Sequence, residues 1–250
     1  MRKDKKMVER IRKTSRGQGL AILALLLFIV FFPGASGASA QIASAPLPGK
    51  VTYPVIQHAG SPYFLEDWTR GEVLLNNGRR ASGVLLRYDG HADRLLWRVE
   101  SEANKQVEID KYLVKGFMLS APDTSYHFSL FDVSSLFGFV DKRVFMQVLQ
   151  QGSVSLLAFR GVRLTSRLGY LTDHQGRARQ ALTLVSEPKY YLQFPDGTIK
   201  RINLRRRSFI QAIEEQLPGS WELLRGQNPR FRTEAQMAHT VYMLNNLSGK

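Results

Sequence analysis

Hydrophobic and polar residues alternate over short stretches between residues 71 and 120, and turn-forming residues separate these stretches. Residues 72–75 and 80–88 flank Asn76-Asn77-Gly78, a combination that favours the positive φ angles of a tight hairpin turn. Asp89-Gly90 begins the next turn, and residues 110–113 predict a single helical turn. The pattern predicts a small, strongly curved sheet whose strands cover residues 72–75, 80–88, 95–99, 106–109 and 115–119.

The same alternation returns in residues 121–204 and predicts an antiparallel β region. Within residues 143–149, Val144, Met146 and Val148 fall on one face of a strand, and Phe145 and Leu149 fall on the other. Residues 161–179 alternate only weakly, and we interpret them as an irregular, loop-bearing region. The remaining predicted strands cover residues 153–159, 181–185, 189–194 and 198–204.

Two helices are predicted in the C-terminal segment, residues 205–250. Ser208 with Gln211 has the spacing of a capping box at the start of the first helix, and Pro218-Gly219 ends that helix. Thr233 with Gln236 gives the same start signal for the second helix. The chain is therefore expected to be mainly β (α+β), with a small curved sheet, an antiparallel β region and two C-terminal helices.

The first 40 residues have the layout of a cleavable secretory signal. Residues 2–16 are basic, residues 20–32 form an unbroken apolar run of 13 residues, and Ala38-Ser39-Ala40 follows a helix break at Pro33-Gly34. A spanning helix needs about 20 apolar residues, so cleavage after Ala40 is favoured. An uncleaved N-terminal membrane anchor is the alternative. The sequence thus predicts export to the periplasm or the cell exterior.

Residues 41–70 read as an extended leader. Pro46, Pro48, Pro54 and Pro62 prevent a helix or a central strand. The aromatic and apolar residues near its end are expected to dock the leader onto the first β region; they are Tyr63, Phe64, Leu65 and Trp68.

Positive charge is concentrated in the second half of the chain. The whole chain has a formal charge of +14, and eight basic against two acidic residues in positions 1–40 leave +8 after cleavage. Residues 41–140 carry ten basic and eleven acidic groups, whereas residues 141–250 carry seventeen and eight. This asymmetry indicates contact with an anionic envelope component, such as a glycan or a lipid headgroup; a solvated basic surface is the alternative. Another envelope protein is the alternative partner. A binder of an anionic polymer or of nucleic acid is an alternative function, although export argues against nucleic acid.

The strongest local feature is Lys200-Arg201 followed by Arg205-Arg206-Arg207, just before the first predicted helix. Guanidinium groups bind phosphate and carboxylate bidentately, and a helix N-terminus adds free N–H groups. We therefore interpret these five residues as a candidate anion-binding site, against the alternative of a charged edge strand. Tyr190, Tyr191 and Phe194 are the aromatic neighbours that could stack against a base or a sugar.

Catalytic and metal-binding signatures are not apparent in the sequence. The chain contains no cysteine, which excludes disulfides, zinc–thiolate sites and thiol nucleophiles. Its five histidines lack metal-ligand spacing, and no phosphate-cradling loop is present, so no cofactor or metal is expected. The alternative is an enzyme whose site forms only in the fold, with Asp173 and His174 as the leading candidates.

Two resemblances add expectations about fold and location. Residues 73–78, 83–86 and 107–109 resemble the strand-Asn-Gly-strand-Gly-strand order of Sm-like barrels, which implies an SH3/Sm-like fold for residues 71–120 without an RNA site. The hairpin at residues 144–156 and that around Tyr190-Tyr191 and Asp196-Gly197 resemble an uncharacterised exported β-rich family of Bacteroidetes-type bacteria. Together these features predict an exported, non-enzymatic binding or scaffold protein of the bacterial cell envelope.

Overall fold

The computed structural model describes residues 47–53, 57–99, 105–137, 142–173 and 175–248. The predicted signal, the start of the leader and His174 lie outside the described residues. The thirteen described strands are β1 (Gly49–Thr52), β2 (Thr69–Leu75), β3 (Arg80–Asp89), β4 (Arg94–Arg98), β5 (Gln106–Ile109), β6 (Val114–Ala121), β7 (Thr124–Asp132), β8 (Arg143–Gln150), β9 (Ser155–Phe159), β10 (Val162–Thr172), β11 (Ala178–Ser186), β12 (Lys189–Gln193) and β13 (Ile199–Ile202). The described helices are α1 (Ser134–Phe137), α2 (Arg206–Gln216), α3 (Ser220–Arg225) and α4 (Glu234–Ser248), and a 3-10 turn covers Lys111–Leu113.

Eleven of the described strands form one open, curved antiparallel sheet in the order β1-β5-β4-β3-β2-β6-β7-β8-β9-β12-β13. Two meanders, β2 to β5 and β6 to β9, meet where β2 pairs with β6 and Val73 lies opposite Phe117. The β10–β11 hairpin forms a separate two-stranded sheet. The mainly-β architecture with C-terminal helices is therefore confirmed.

The core inside the first part of the sheet is built from aromatic rings. Phe117 and Phe128 stack with centroids 4.6 Å apart, and Tyr88 and Phe145 complete the ring cluster. All four side chains are almost fully buried. Since Phe128 and Phe145 come from β7 and β8, this core continues past residue 120 without a break in the sheet.

The second part of the sheet is packed on both faces. Helices α2, α3 and α4 cover one face, where Phe209, Ile213 and Val241 pack on Leu156 and Leu192. The residues buried on the opposite face include Val144, Met146, Leu157, Tyr191 and Ile199. The predicted alternation along β8 is confirmed, because Phe145 lies in the aromatic core and Leu149 lies against the helices.

Two predictions of local structure need correction. Residues 161–179 were expected to be irregular, yet most of them form the β10–β11 hairpin. A bulge between Thr165 and Leu168 shifts the register and interrupts the alternation that marks a strand in sequence. At the C-terminus a third helix, α3, begins directly after Gly219, whose φ of 82° turns the chain between two helices.

The predicted capping residue is found at the start of one of the two predicted helices. The Oγ1 of Thr233 accepts a hydrogen bond from the Gln236 N–H at 3.2 Å, as expected for a cap of α4. Helix α2 instead begins at Arg206, so that Ser208 lies inside its first turn and accepts the Asn203 N–H. Over the described ranges, no helix combines the length and the apolar character needed to cross a bilayer.

Candidate functional site

The predicted basic cluster is spread over different surfaces. Lys200 and Arg201 are neighbours on β13 and therefore point to opposite faces of the sheet. Lys200 is paired with Glu215 of α2, Nζ to Oε2 at 2.5 Å. Arg201 lies opposite Tyr191 in the β12–β13 pairing. These two cations do not share one anion-binding point.

The three arginines at the start of α2 are exposed. Arg205 occupies the N-cap position and its side chain makes no capping hydrogen bond. The Arg206 guanidinium lies 4.9 Å from the centroid of the Trp221 ring, and Arg207 follows one position later. Successive residues of a helix diverge in direction, so these side chains do not converge. The interpretation of residues 205–207 as an anion-contacting surface remains a prediction.

The predicted aromatic neighbours do not form a stacking surface. Phe194 and Tyr191 are only 3% and 4% exposed, and they belong to cores on different faces of the sheet. The Tyr190 hydroxyl donates a hydrogen bond to Glu234 Oε1 at 2.6 Å. Burial, followed by this contact with Glu234, raises the pKa of Tyr190 to about 12. All three aromatic side chains serve packing or buried polar contacts.

Asp173 serves the turn at the tip of the β10–β11 hairpin. Its carboxylate accepts the backbone N–H groups of Gln175 and Arg177, and Arg177 Nε lies 3.1 Å from Oδ2. The Arg177 backbone N–H is the main cause that lowers the pKa of Asp173. His174, its proposed catalytic partner, lies outside the described residues. No group of three or more potential metal ligands occurs within the part of the chain that the structure describes.

A cleft of about 780 Å³ lies elsewhere, between the docked leader, the β3–β4 turn and β11. The leader reaches this position because it pairs with β3: the Phe64 N–H donates to Tyr88 O at 3.0 Å, and the Gly90 N–H donates to Pro62 O at 2.8 Å. Phe64 and Leu65 pack against the aromatic core, as the sequence predicted for the leader. The cleft is lined by aromatic, basic, acidic and histidine side chains, among them Tyr53, His58, Tyr63, Arg87, Asp89 and His91.

Arg87 is the unusual residue of this cleft. It alternates along β3 with Leu86 and Tyr88, which are fully buried in the core, so its side chain lies on the opposite face beneath the leader. There the guanidinium carbon lies 3.8 Å from the centroid of the Tyr63 ring and 4.3 Å from that of the Trp68 ring. Both contacts are at cation–π distance.

The polar contacts of Arg87 within the described residues do not include a carboxylate. Nη1 donates to the backbone carbonyl of Glu66 at 3.1 Å, and Nε is shielded from solvent without a hydrogen-bond partner. Among the described residues no carboxylate lies within ion-pair distance of this guanidinium. Burial is the main cause that lowers the pKa of Arg87, since it disfavours the charged form.

Two other charged groups of the cleft, Asp89 and Arg94, are already paired. Asp89 is 2% exposed and accepts hydrogen bonds from the backbone N–H groups of His91 and Ala92. Arg94 Nε donates to Asp89 at 2.8 Å, and Arg94 Nη1 donates to Glu108 at 3.0 Å. The Glu66 carboxylate also lines the cleft, although only its backbone carbonyl contacts Arg87. Arg87 thus differs from Arg94 in that no carboxylate among the described residues pairs with it.

Only a weak sequence signal marks this cleft. Arg87 stands between Leu86 and Tyr88 in a strand of a region with net negative charge, where no local motif marks it. Its aromatic partners Tyr63 and Trp68 lie about twenty residues away, in the leader. The sequence feature that marks the cleft is a single arginine on an otherwise regular strand, with an aromatic-rich leader upstream.

No family model matches this chain, and the searches of curated proteins and of solved structures also found no match.

Proposed function

We propose that this chain is an exported, non-enzymatic binding protein of the bacterial cell envelope that holds an anionic ligand in the Arg87 cleft. Export is supported by the order of basic, apolar and small residues in positions 1–40. Binding is supported by the cleft. The C-terminal basic residues 205–207 remain the second candidate surface for the anion.

The binding proposal depends mainly on the contacts of the Arg87 guanidinium. The guanidinium contacts the rings of Tyr63 and Trp68, and its N–H edge matches the two oxygens of a carboxylate or phosphate. Partial burial strengthens such a charge-assisted hydrogen bond relative to one in water. Tyr53, which is 67% exposed and also lines the cleft, offers an apolar surface for the rest of the ligand.

The fold proposal for residues 71–120 follows the same regions. Strands β2 to β6 have the spatial order β5-β4-β3-β2-β6, and a 3-10 turn stands between β5 and β6. This arrangement supports an SH3/Sm-like curved sheet that the later strands extend. Membership of an exported β-rich family of Bacteroidetes-type bacteria stays a prediction of the sequence.

Export is tested by the mass of the product recovered from a bacterial expression host. A mature chain that begins at Gln41 in the periplasm or the medium is expected. An intact Met1 on a product confined to the cytosol contradicts the proposal. An intact Met1 on a membrane-bound product supports the anchored alternative.

Binding is tested by retention on a polyuronate resin, which presents carboxylates, and on phosphocellulose, which presents phosphates. The variant R87Q is compared with a matched triple variant R205Q/R206Q/R207Q. We expect the bound-to-free ratio of R87Q on the resin to be at least about tenfold lower than that of the wild type, because one charge-assisted contact is lost. If only the triple variant loses retention, the ligand site is the basic surface at α2 and not the cleft. If neither variant changes retention, the anion-binding proposal is wrong.

A further inference from the structure

The β10–β11 hairpin forms an arm beside the main sheet. Its two strands pair only with each other, apart from a bridge between Ala59 and Thr183. Near its base, the Leu184 N–H donates to Ala59 O, and the Val162 N–H donates to Gly90 O. The turn at Asp173 closes the far end. The base of the arm is therefore held by the body, and its far part is exposed.

One face of the arm is apolar and becomes more exposed toward the tip. The register places Leu168 opposite Leu182 and Tyr170 opposite Gln180, all on the face that also carries Leu184. Exposure on this face rises from 8% at Leu184 to 40% at Leu182, 57% at Leu168 and 74% at Tyr170. Large apolar side chains gathered on one exposed face are typical of an interaction surface. We call Leu168, Tyr170 and Leu182 the arm patch.

The arm carries an excess of basic residues. Residues 162–187 contain four arginines against two acidic residues, which leaves two positive charges. Both acidic residues are engaged: Asp173 pairs with Arg177, and Glu187 pairs with Arg163 at 2.9 Å. Arg167 lies in the bulge directly before Leu168 and is exposed. The arm therefore combines an apolar patch with an excess of positive charge, and its two acidic side chains are each paired with an arginine.

We propose that the arm patch docks onto the surface of an anionic phospholipid bilayer. Leucine and tyrosine side chains are suited to the boundary between headgroups and acyl chains, and arginine binds headgroup phosphates. The charge excess attracts anionic lipid over distances of a Debye length. A second copy of this chain carries the same positive charge next to the same patch, so charge complementarity favours the bilayer over self-association. This docking is independent of the Arg87 cleft.

Vesicle co-sedimentation tests the docking. The full chain, in whichever N-terminal form the cell produces, is mixed with vesicles of phosphatidylcholine alone or of phosphatidylcholine with phosphatidylglycerol. The variant L168S/Y170S/L182S removes the patch. The variant L223S/Y242S is the matched control, because these side chains are 56% and 50% exposed on helices α3 and α4. All samples have the same N-terminal form. Any affinity of the N-terminal segment for vesicles is therefore the same for the wild type and the variants.

The wild-type chain and the control are expected to sediment with phosphatidylglycerol vesicles, and the arm variant is expected to bind at least about tenfold less. The variant R167Q is expected to lose part of the preference for phosphatidylglycerol over phosphatidylcholine. Equal sedimentation of the arm variant and the wild type overturns the proposal, as does an equal loss in the control. Near-ultraviolet circular dichroism confirms that each variant is folded.

Sedimentation velocity without vesicles separates the bilayer from a second copy. A monomer at all concentrations agrees with docking on lipid. A dimer that the arm variant abolishes assigns the patch to self-association and overturns the bilayer proposal.

Discussion

Two arginines contact the same short segment of the leader and have different surroundings. Arg160 lies 5.3 Å from the Phe64 ring, and Arg87 lies 3.8 Å from the adjacent Tyr63 ring. Arg160 donates two hydrogen bonds to Glu234, at 2.6 and 2.8 Å, and a third to Gln147 at 2.7 Å. Within the described residues, the Arg87 side chain donates one hydrogen bond, to a backbone carbonyl.

The difference separates a structural role from the proposed binding role. A buried guanidinium is costly unless carboxylates and acceptors replace its water. The chain meets this need for Arg160 by bringing Glu234 from the first turn of α4, which ties the helix to the sheet. For Arg87 the chain provides aromatic faces and leaves the N–H edge without an anion. The first arginine is part of the fold, and the second is the one that we propose to bind a ligand.

The largest effect is expected for Glu234→Gln. This change removes the charge that compensates Arg160 while keeping the size of the side chain, and it leaves a largely buried guanidinium unpaired. The free energy of unfolding is expected to fall by about 2–3 kcal/mol. Urea denaturation at neutral pH measures it. A loss below about 1 kcal/mol would show that Arg160 does not depend on this carboxylate and would remove the contrast with Arg87.

Acid pH should reduce the same contribution without mutation. The hydrogen bonds from Arg160 are the main cause that lowers the pKa of Glu234 below its usual value of 4.5. A carboxyl with a lowered pKa stabilises the fold above its unfolded pKa, and this stabilisation is lost as the pH falls through the folded value. The stability difference between wild type and E234Q should therefore be constant above pH of about 4.5 and shrink below it. A difference that grows in acid would contradict the pairing.

A smaller effect on stability is expected for Arg87→Met. Methionine keeps the apolar contact with Tyr63 and Trp68, and the change removes a partly desolvated charge that has no carboxylate in contact. The free energy of unfolding should change by less than about 1 kcal/mol, while retention on polyuronate resin is lost. A loss of stability as large as that of E234Q would make Arg87 a structural residue.

The smallest effect is expected for Glu222→Gln on α3. Glu222 pairs with Arg225 at 2.9 Å, but both side chains are about 60% exposed, so water already compensates each charge. The expected change is below about 0.5 kcal/mol. This variant is the reference for the two arginines above, because it removes an ion pair without uncovering a buried charge.

Local features of the fold were predictable from sequence. Asn76-Asn77-Gly78 specifies its hairpin chemically, and Gly78 has a φ of 82°. The alternation along β8 specifies which side chains enter which core. In contrast, the bulge between Thr165 and Leu168 obscured β10, because it places the polar residues Ser166 and Arg167 between the apolar positions of the strand.

The candidate site was not predictable in the same way. Lys200 looked free in sequence, yet the fold brings Glu215 against it from the next helix. Arg87 looked ordinary, yet the leader folds back and places two rings on it. Both outcomes depend on pairing between distant segments, which local periodicity does not record. The run of basic residues at 200–207 therefore indicated a charged surface, whereas tertiary contacts determine which cation has a carboxylate partner.

The seam between β2 and β6 has a consequence for how the chain folds. Each meander pairs segments that follow one another closely, whereas the seam joins residues 71–75 with residues 114–119. Closing so long a loop costs entropy before any contact is gained, and such non-local pairing slows folding. We expect the two meanders to collapse early and the seam to form in the rate-limiting step. Until the seam closes, the unpaired edge of β6 is exposed to incorrect pairing. We therefore expect β6 to be the strand most prone to misassociation during folding.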